Sequence, residues 1–485
     1  MVEEEIPKDL LWDLTNRGQA HLFQGWDELS SIQKGSLVNQ IRNIDFDLIA
    51  SIWNSRNKPA TAMASVELLA PDFFDPQLYP DQAATCLQLG SSALSQGKVA
   101  CVLVAGGQGT RFGATVPKGC MAVGPLSGKS LFQIHAERIQ ALARRFGATV
   151  PLLVMTSPAN HDATLAFFTE HRNFGLITDQ VHFFCQGTMP AMDLETGKIL
   201  LEAPGRIFAS PDGHGGCLAA LAEKGWLKWM AEKEIEQVFY FQVDNPLVKI
   251  ADPLFLGHHL HSRADVSSRF VTKERAAEKV GVFAQTKTLT NEARCILVEY
   301  SDLTGEQTEA RAPNEELLFR CGSPAIHIFS RRFLEEIVPG HARLPYHLAK
   351  KKVSFVDETG AIVVPVTENA FKFEKFVFDA LPLANRWTLV RSLREEEFAP
   401  LKNAVGADSP DTVRAGIIAR NRAWLSKAFG AAEAELSMID EWIIEISPLL
   451  ALDAADLAEQ LSYADFVARL SQAKDGSLHL KAASE

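Results

Sequence analysis

One run of residues near position 100 limits the folds open to this chain. The apolar run from Val99 to Ala105 predicts a strand buried on both faces, as in a parallel sheet. It leads into Gly106-Gly107-Gln108-Gly109, where the glycines let the backbone approach a ligand and aim N–H groups at phosphate oxygens. Two cations follow, Arg111 and Lys118. The pattern predicts a phosphate-binding loop; the alternative is an ordinary glycine-rich turn with two surface cations.

Two common phosphate loops do not fit this segment. A dinucleotide fingerprint needs G-x-G-x-x-G and an acidic residue about 20 residues later. Gly107, Gly109 and Gly113 instead give G-x-G-x-x-x-G, and the stretch PLSGKSLFQIH holds no acid. A P-loop needs a glycine five positions before its G-K-S/T end. Gly128-Lys129-Ser130 supplies that end, but position 123 is Val123.

Composition excludes several classes of protein. A length of 485 residues predicts two or three domains, and a net charge of -12 argues against a general nucleic-acid binder. The seven cysteines form no C-x-x-C pair, which favours free thiols in a reducing compartment. The acidic start MVEEEIPKDLLW lacks the features of a signal peptide, and no apolar run approaches a membrane span. We expect a cytoplasmic protein, monomeric or weakly self-associating, with neither nucleic-acid nor membrane partners.

The apolar periodicity predicts three segments. Residues 1–96 are expected to form an N-terminal helical segment, 97–385 a central nucleotide-binding domain and 386–485 a small C-terminal lobe. In the central segment strands and helices alternate, which predicts a doubly wound α/β sheet. The predicted strands are 98–105, 150–156, 181–185, 237–243, 266–271, 280–285, 295–300 and 325–329. The predicted helices are 130–146, 159–171, 214–232, 252–262 and 331–337, and in the lobe 390–398, 410–429, 431–441 and 452–472.

The loop resembles the signature GG-x-GTR-(L/F)-G…PK of nucleotide-sugar pyrophosphorylases. Nine further motifs fall in the order found in the eukaryotic-type UDP-N-acetylhexosamine pyrophosphorylase family. They are LFQIHAERI (131–139), FFTEHRNFGL (167–176), QGTMPAM (186–192), SPDGHGG (210–216), VDNPLVKIADP (243–253), VEYSDL (298–303), KFEKFVFD (372–379), REEEFAPLKNA (394–404) and EISPL (445–449). The resemblance covers most of the chain, from about Lys98 to Leu449, and implies the Rossmann-like mixed sheet of nucleotide-diphospho-sugar transferases.

The resemblance implies a uridylyltransferase. In this reaction UTP and N-acetylglucosamine 1-phosphate give UDP-N-acetylglucosamine and pyrophosphate. The nucleophile is a phosphate that is already largely dianionic near pH 7, so no general base is needed. The chemistry instead needs positioning, cations and a divalent metal, Mg²⁺ or Mn²⁺.

Several residues match positions that hold the nucleotide in this family. The resemblance implies that Lys118 contacts the α-phosphate and Arg111 the departing pyrophosphate. Lys372 and Lys402 are typical of surface lysines when taken alone, but their motifs imply phosphate contacts. The remaining nucleotide-binding candidates are Ala105, Gly106, Gly107, Gln186, Gly213 and Asp244.

Asp244 is also the candidate metal ligand. It follows the apolar run Val238 to Val243, which delivers its carboxylate to the end of a sheet strand, and Mg²⁺ prefers such oxygen ligands. An Asx-turn or a helix N-cap is an equally good interpretation from the residues alone. The resemblance favours a metal or nucleotide contact.

The sugar side departs from the family pattern. The candidates there are His214, Gly281, Glu299, Tyr300 and Ser323. Where the family pattern is P-D-G-N-G-G, this chain has His214 in place of the asparagine. Glucose-type uridylyltransferases carry a histidine at the matching place. The family's G-N-I-A-N-H reads Gly322-Ser323-Pro324-Ala325-Ile326-His327, without either asparagine. Glucose 1-phosphate or galactose 1-phosphate is therefore the alternative substrate. The alternative of another class is a non-catalytic nucleotide-sugar sensor.

The cluster Gly257-His258-His259-Leu260-His261 suggests a metal site at first sight. His258 and His261 are three residues apart and would share a helix face. Because no carboxylate or cysteine is spaced to complete a site, we predict an ordinary surface helix.

Overall fold

The chain folds into two units, each assembled from stretches that are distant in the sequence. The computed structural model describes residues 5–56, 67–113, 116–287, 293–338, 344–430, 441–473, 476–483 and 485. Unit 1 consists of Met1–Val66, Gln186–Ala219 and His341–Asp379; unit 2 consists of Glu67–Cys185, Ala220–Gly340 and Ala380–Glu485. The three-segment division of the sequence stays a prediction.

Unit 2 is built on a large mixed sheet. Ten strands of the described chain pair in it, in the order β12-β11-β13-β10-β14-β9-β1-β2-β3, with β19 paired to β10. The strands are β1 Val99–Val104, β2 Leu152–Thr156, β3 Val181–Cys185, β9 Gln237–Gln242, β10 Val266–Thr272, β11 Val282–Lys287, β12 Ala293–Val298, β13 Cys321–Gly322, β14 His327–Ser330 and β19 Trp387–Ser392. Every residue of β1 and β2 is buried, as their continuous apolar sequences predict.

The direction of winding reverses at β1. From β1 the chain moves outward to β2 and β3, and it later returns to the other side of β1 as β9, parallel to it. Such a reversal opens a crevice at the carboxyl ends of the two strands, which is where open α/β sheets bind ligands. The glycine-rich loop follows β1 and Asp244 follows β9, so both lie at this crevice.

An interrupted strand extends the sheet beyond the carboxyl end of β9. β13 and β14 both run antiparallel to β10, and β14 also pairs with β9. The intervening stretch includes Ala325, which has a positive φ of 56°. In the β14–β9 register, residues before His327 continue past Tyr240 toward the end of β9. β13 and its partner β11 therefore lie beyond that end.

Unit 2 also contains helices, several of which pack on the sheet. They are α4 Pro80–Ser95, α5 Leu131–Phe146, α6 His161–Glu170, α8 Trp226–Glu232, α9 Pro253–His261, α10 Gly305–Glu309, α11 Arg331–Ile337, α12 Arg394–Glu397, α13 Pro410–Phe429, α14 Ala454–Gln460 and α15 Tyr463–Gln472. The short parallel pair β20 Ile443–Ile446 and β21 Ser477–Leu480 packs with α13 to α15 around a separate apolar cluster that includes Trp424 and Phe466.

Helices α4 and α9 cross at two glycines. A Cβ atom on Gly90 would lie 1.8 Å from the carbonyl oxygen of Pro253, and one on Gly257 would lie 1.6 Å from that of Cys86. No side chain fits between the two backbones at this point, so the crossing requires glycine in both helices.

Unit 1 combines helices with small antiparallel sheets. Its elements are α1 Lys8–Asn16, α2 Ser31–Arg42, α3 Phe46–Ser55, β4 Thr188–Pro190, β5 Met192–Asp193, β6 Leu201–Ala203, β7 Arg206–Ile207, β8 Ala209–Pro211, β15 His347–Lys351, β16 Phe355–Val356, β17 Ile362–Val363 and β18 Ala370–Glu374. Helix α7, Gly216–Glu223, begins in unit 1 and ends in unit 2. Apolar side chains of α1 to α3 pack with Met189, Ile199 and Phe373 in the core of unit 1.

Most elements predicted from the sequence are present. The mixed α/β class is confirmed, and all eight predicted strands occur with bounds that differ by at most two residues. The helix predicted over 214–232 is divided at Gly225, which has a positive φ of 79°, and the one over 452–472 is divided near Leu461. The helix predicted over 390–398 is partly wrong: β19 occupies its first residues, and only α12, Arg394–Glu397, is helical. The helix predicted over 431–441 falls almost wholly outside the described residues.

The surface placement predicted for the histidine cluster is partly wrong. α9 contains the cluster, but His258 and His259 are buried. His258 Nε2 lies 2.9 Å from Thr388 Oγ1, and His259 lies within hydrogen-bond distance of Ser267 and Gln237. These two rings are structural members of the interior.

Four buried histidines predict a loss of stability in mild acid. Burial lowers the pKa of His135 and His259 to about 3 and that of His214 and His258 to about 4. Unfolding returns each pKa to near 6.5, so the unfolded state binds more protons between about pH 6.5 and pH 4. Stability is therefore greatest above pH 6.5 and falls with pH, by up to about 1.4 kcal/mol per pH unit for each histidine.

Urea unfolding at pH 7.5, 6.5, 5.5 and 4.5 measures this dependence. His214→Asn removes one of the four groups, so its free energy of unfolding should fall less steeply than that of the unchanged chain. A free energy that stays constant from pH 7.5 to 4.5 would contradict the assignment of neutral buried rings.

Candidate active site

The carbonyl groups of the glycine-rich loop are held from behind by one asparagine and one serine. Asn160 Nδ2 donates to the carbonyl oxygens of Ala105 (2.8 Å) and Gly107 (3.1 Å), and Ser157 Oγ donates to that of Gly106 (2.9 Å). Asn160 Oδ1 in turn accepts from the amide of Ser157 at 2.8 Å. Both side chains are buried, which fixes the loop backbone where it leaves β1.

The amide N–H groups of the same loop are left available. Among the described residues, none accepts a hydrogen bond from the N–H of Gly106 or Gly107. Lys118 lies beside them: its N–H donates to the carbonyl oxygen of Gly107 at 3.3 Å, and its Cε lies 4.0 Å from the position of a Cβ on Gly107. Two open donors and an ammonium group suit the binding of a phosphate.

Lys118 and Asp244 form the polar centre of the crevice between β1 and β9. Lys118 Nζ lies 3.2 Å from Asp244 Oδ2, and the two side chains are 17% and 12% exposed. Asp244 is positioned by β9, where the N–H of the preceding Val243 donates to Val104 O at 3.0 Å. The structure therefore brings together two residues that lie 126 positions apart in the sequence.

The segment that carries Lys402 is anchored at Asp244. The N–H of Leu401 donates to the carbonyl oxygen of Asp244 at 2.8 Å. Asn245 holds the same segment, since its Nδ2 donates to Glu397 O (2.7 Å) and its Oδ1 accepts from the N–H of Ala399 (3.2 Å). Lys402 thus follows directly after a residue bonded to the backbone of the candidate metal ligand.

Arg111 stands in a 3₁₀ turn, Thr110–Phe112, after the loop. Its side chain is exposed, and no ion pair joins it to any acidic residue in the described part of the chain. An exposed guanidinium beside a glycine-rich loop is suited to a mobile anionic group such as pyrophosphate.

Three of the sugar candidates meet beyond the end of β9. The N–H of Ser323 donates to the carbonyl oxygen of Gly281 at 2.9 Å, and Glu299 Oε1 would lie 3.4 Å from a Cβ on Gly281. Tyr300 follows Glu299 and is 45% exposed. These residues come from the β11, β12 and β13 region of unit 2, which the register places past the carboxyl end of β9.

A second group of candidates lies in unit 1. Gly213 has a positive φ of 85°, and a Cβ there would lie 2.4 Å from the carbonyl oxygen of Lys375. Asp212 O accepts from the N–H of Lys375 at 2.7 Å, and Gly215 donates back to Lys375 O at 2.9 Å. Two motifs far apart in the sequence, SPDGHGG and KFEKFVFD, therefore lock together. Gln186, at the start of this stretch, is buried.

His214 is held as a neutral ring in this group. Its Nδ1 accepts from the N–H of Val377 at 3.2 Å, and its ring stacks on Phe376 with centroids 5.4 Å apart. Burial, and to a smaller extent the neighbouring His347, lowers the pKa of His214 to about 4. With Nδ1 accepting, the proton of the neutral ring resides on Nε2.

Lys372 projects from β18 of unit 1. It is half-buried, its Nζ lies 4.8 Å from the centre of the Phe208 ring, and burial lowers its pKa. The described contacts of Lys372 and His214 lie within unit 1, whereas those of Lys118, Asp244 and Lys402 lie within unit 2.

Sequence reasoning missed the residues that support the site. Ser157 and Asn160 sit in TSPAN, directly after β2, where an asparagine before a helix reads as an ordinary cap. The position of that segment after β2 could have indicated a role beside the glycine-rich loop, because the carboxyl ends of the parallel strands β1 and β2 meet at one edge of the sheet. The backbone of Lys375 is bonded to Asp212 and Gly215 of the SPDGHGG stretch, and nothing in the sequence indicated this contact.

The P-loop-like tail Gly128-Lys129-Ser130 is occupied by the protein itself. Glu445 of β20 accepts the N–H groups of Leu126 (2.6 Å) and Ser127 (2.7 Å). Lys129 Nζ is bound by Glu137 (2.7 Å), Glu485 (2.8 Å) and Ser447 (3.1 Å). The sequence argument against a nucleotide here agrees with this arrangement.

A single carboxylate beside a phosphate loop fits Mg²⁺. Within the described residues, no three His, Cys, Asp or Glu side chains are grouped to hold a metal ion. Mg²⁺ does not need such a cage, since it keeps several waters and takes further ligands from substrate phosphates. Asp244 offers a partly accessible carboxylate where those phosphates would lie.

The fold and its glycine-rich loop are those of an α/β nucleotidyltransferase. The chain belongs to the family described as UTP–glucose-1-phosphate uridylyltransferase, whose model matches residues 75–413. It is 35% identical to UDP-N-acetylglucosamine diphosphorylase 2 of Arabidopsis thaliana, over 90% of this chain and 88% of that protein. It is 34% identical to UDP-N-acetylglucosamine pyrophosphorylase of Saccharomyces cerevisiae, over 91% of this chain and 94% of that protein.

A solved structure extends the likeness to the whole fold. The uridine diphosphate N-acetylglucosamine pyrophosphorylase of Trypanosoma brucei, in complex with an inhibitor, is 26% identical and matches with a TM-score of 0.84. The match covers 99% of this chain and 100% of that one. The family resemblance inferred from the ordered motifs is confirmed.

Two further findings concern membranes and thiols. None of the helices in the described residues combines the length and apolar character that a membrane span requires. All seven cysteines are free thiols.

Proposed function

We propose that this protein is a UTP:sugar-1-phosphate uridylyltransferase with N-acetylglucosamine 1-phosphate as its sugar substrate. An oxygen of the sugar phosphate attacks the α-phosphorus of UTP, a new P–O bond forms, and the bond to the β-phosphate bridge breaks. Pyrophosphate leaves with the bonding electron pair. The observation that carries the proposal is the Lys118–Asp244 pair beside the open amides of Gly106 and Gly107.

Each of these groups has a role that suits its position. The amides of Gly106 and Gly107 donate to phosphate oxygens, and Lys118 balances the charge that develops at the α-phosphorus. Arg111, exposed after the loop, receives the pyrophosphate. Lys402 reaches the phosphates from the segment anchored at Asp244, and the resemblance gives Lys372 the role of a further phosphate contact.

Mg²⁺ (or Mn²⁺) completes the proposal. Asp244 would hold it, and the bound ion would neutralise charge on the phosphates during the transfer.

The proposal also names the sugar substrate, N-acetylglucosamine 1-phosphate. Two relatives covering about nine-tenths of this chain are named for UDP-N-acetylglucosamine. His214 and Ser323 stand where the family pattern has asparagine, which keeps glucose 1-phosphate and galactose 1-phosphate as the alternative. Glu299 lies beside Gly281 and Ser323, where its carboxylate can accept from sugar hydroxyls.

Pyrophosphate release tests the proposal. Purified protein is mixed with UTP, Mg²⁺ and one sugar 1-phosphate at a time: N-acetylglucosamine, N-acetylgalactosamine, glucose or galactose. The highest kcat/KM is expected with N-acetylglucosamine 1-phosphate, and EDTA should abolish turnover. A higher value with glucose or galactose would overturn the sugar assignment. No turnover with any sugar, together with binding of a UDP-sugar, would favour the sensor. The cytoplasmic location and the monomeric or weakly associated state stay predictions.

Replacing His214 by asparagine is expected to sharpen the choice of sugar. A neutral imidazole and an amide present different donors and acceptors, so His214→Asn should raise the kcat/KM ratio of N-acetylglucosamine 1-phosphate over glucose 1-phosphate by about 10-fold. Ser323→Asn should act in the same direction. His347→Asn is the matched control, because His347 also packs on Phe376 without being a sugar candidate, and its ratio should not change. A ratio that moves toward glucose in His214→Asn would refute this role.

A further inference from the structure

A cavity of about 280 Å³ lies in unit 2, away from the residues assigned to catalysis. Helices α4, α5 and α13, the start of α9 and residues 452–455 enclose it. Much of its wall is apolar, and the members used below are Leu87, Leu142, Phe146, Leu254 and Leu452. None of the candidate phosphate or sugar residues lines it.

Two arginines without carboxylate partners complete the wall. Arg138 on α5 and Arg420 on α13 are only 6% and 5% exposed. One N–H of Arg138 donates to Val248 O at 3.0 Å, and one of Arg420 donates to Leu247 O at 3.3 Å. Arg420 Nε is buried and has no acceptor, and within the described residues neither arginine forms an ion pair. Most of their N–H donors therefore await an acceptor.

The other charged groups of the wall are already matched. Asp453 is bound by Arg145 at 2.8 Å, Asp252 by Arg269, and Lys249 by Glu396. Arg138 and Arg420 are thus the charges of the wall that form no ion pair among the described residues, and the charge of Arg420 adds to the cost of burying Arg138. Burial, and after it the charge of Arg420, holds the pKa of Arg138 well below its usual range, with Glu137 acting in the opposite direction. Burial lowers the pKa of Arg420 to about 10, against the opposing effect of Glu396 and Glu397.

Two unpaired cations in the interior need an explanation. A buried charge without a partner costs several kcal/mol, so such groups are ordinarily paired with an anion. The amphipathic wall indicates what that anion would be. Its apolar part suits a hydrocarbon body, and the guanidinium forks suit a carboxylate. The nearby carboxylates of Asp252 and Asp453 would repel a phosphate dianion more strongly than a monoanion.

We propose that this cavity binds a small amphipathic carboxylate, whose carboxyl group bridges Arg138 and Arg420 and whose apolar body packs on Leu142, Phe146 and Leu452. The site does not depend on the proposed transferase function, because it shares no residue with the catalytic candidates. It does bear on them, since the two arginines hold carbonyl groups three and four residues after Asp244. A ligand there would stiffen the segment that carries Asp244.

Titration calorimetry with three probes tests the site on the full chain. Octanoate is expected to bind with a Kd at or below about 1 mM, which is a free energy of about −4.1 kcal/mol. Octanol has the same apolar body without the charge, and acetate has the charge without the body, so each should bind at least about 10-fold more weakly. Equal binding of octanol, or no binding of octanoate, would overturn the proposal.

Two exposed leucines of α4 provide a matched pair of variants. Leu87 lines the cavity and is 45% exposed, whereas Leu89 is 39% exposed and does not line it. Leu87→Glu brings a carboxylate to the cavity and should weaken octanoate binding at least about 10-fold, whereas Leu89→Glu should leave it unchanged. Equal Kd values for the two variants would contradict the location.

The variant Arg420→Met tests whether Arg420 binds a ligand or only stabilises the fold. The variant should lose octanoate binding while keeping its melting temperature without ligand, because it removes an unbalanced buried charge. Retained octanoate affinity in a folded Arg420→Met protein would overturn the proposal. If this variant does not fold, Leu87→Glu still decides the outcome.

Discussion

Lys118→Met is expected to lower kcat/KM for UTP by about 100- to 1,000-fold, the usual effect of removing a group that stabilises transition-state charge. Lys118 contacts both the glycine-rich loop and the candidate metal ligand. Its N–H donates to the carbonyl oxygen of Gly107, and its Nζ forms an ion pair with Asp244. Methionine keeps the length of the side chain and removes the charge. The decrease should appear mainly in kcat, measured by pyrophosphate release at saturating UTP.

Lys98→Met is the control for this substitution. Lys98 immediately precedes the amino end of β1, the strand that leads to the glycine-rich loop, and it forms surface ion pairs with Glu234 (3.1 Å) and Glu236 (3.8 Å). Such pairs contribute little to stability, so kcat and KM should be unchanged. Lys118→Arg should be only a partial rescue, because a guanidinium cannot replace a compact ammonium in the same space. Activity of Lys118→Met within a few-fold of the unchanged protein would remove Lys118 from catalysis.

Gly257→Ala is expected to be the most damaging single-methyl change in the fold. The new Cβ would lie 1.6 Å from the carbonyl oxygen of Cys86, which belongs to the backbone of α4 and cannot turn aside. The helices must separate, and their apolar contacts with the main core must loosen. We expect a loss of about 3 kcal/mol or more in the free energy of unfolding, at or above the usual range for overpacking. Gly90→Ala, with its Cβ 1.8 Å from Pro253 O, should behave alike.

Gly35→Ala gives the opposite expectation. Gly35 lies within α2, and no atom lies within 4 Å of its added Cβ. Alanine there should stabilise the protein by about 0.5–1 kcal/mol, because it lowers the entropy of the unfolded chain and favours the helix. Urea unfolding measures all three variants. If Gly257→Ala and Gly35→Ala shift the urea midpoint of unfolding by the same amount, the close crossing of α4 and α9 does not require glycine.

The sheet could be predicted from the sequence where its signal was local. Runs such as Val99 to Val104 are apolar throughout, and only a strand or a fully buried helix tolerates that pattern. β19 was missed for the opposite reason. Its residues carry little periodicity, the following Arg394–Glu397 is a typical helical sequence, and what makes 387–392 a strand is parallel pairing with β10, about 120 residues earlier.

The sequence identified individual residues of the candidate site, but it did not predict which of them contact each other. Motifs identified Lys118 and Asp244, whereas their 3.2 Å contact depends on the winding of β1 and β9. The hydrogen bond from Leu401 to Asp244 joins positions 157 residues apart, and no sequence spacing reports it. Asn160 was missed because its role lies in tertiary hydrogen bonds to a neighbouring loop. The roles of the individual residues stay predictions.

The carboxylate of Glu445 occupies two backbone amides of unit 2 that resemble the start of a phosphate site. Its oxygens accept from the amides of Leu126 and Ser127, next to a Gly-Lys-Ser sequence of the kind that grips phosphates elsewhere. A free nucleotide would have to compete with an anion that is part of the same chain, and tethering gives such a group an effective concentration of about millimolar or more. Among the described residues, the amides beside this Gly-Lys-Ser sequence are thus held by a carboxylate of the same chain, whereas the amides of Gly106 and Gly107 in the loop after β1 stay open to a ligand.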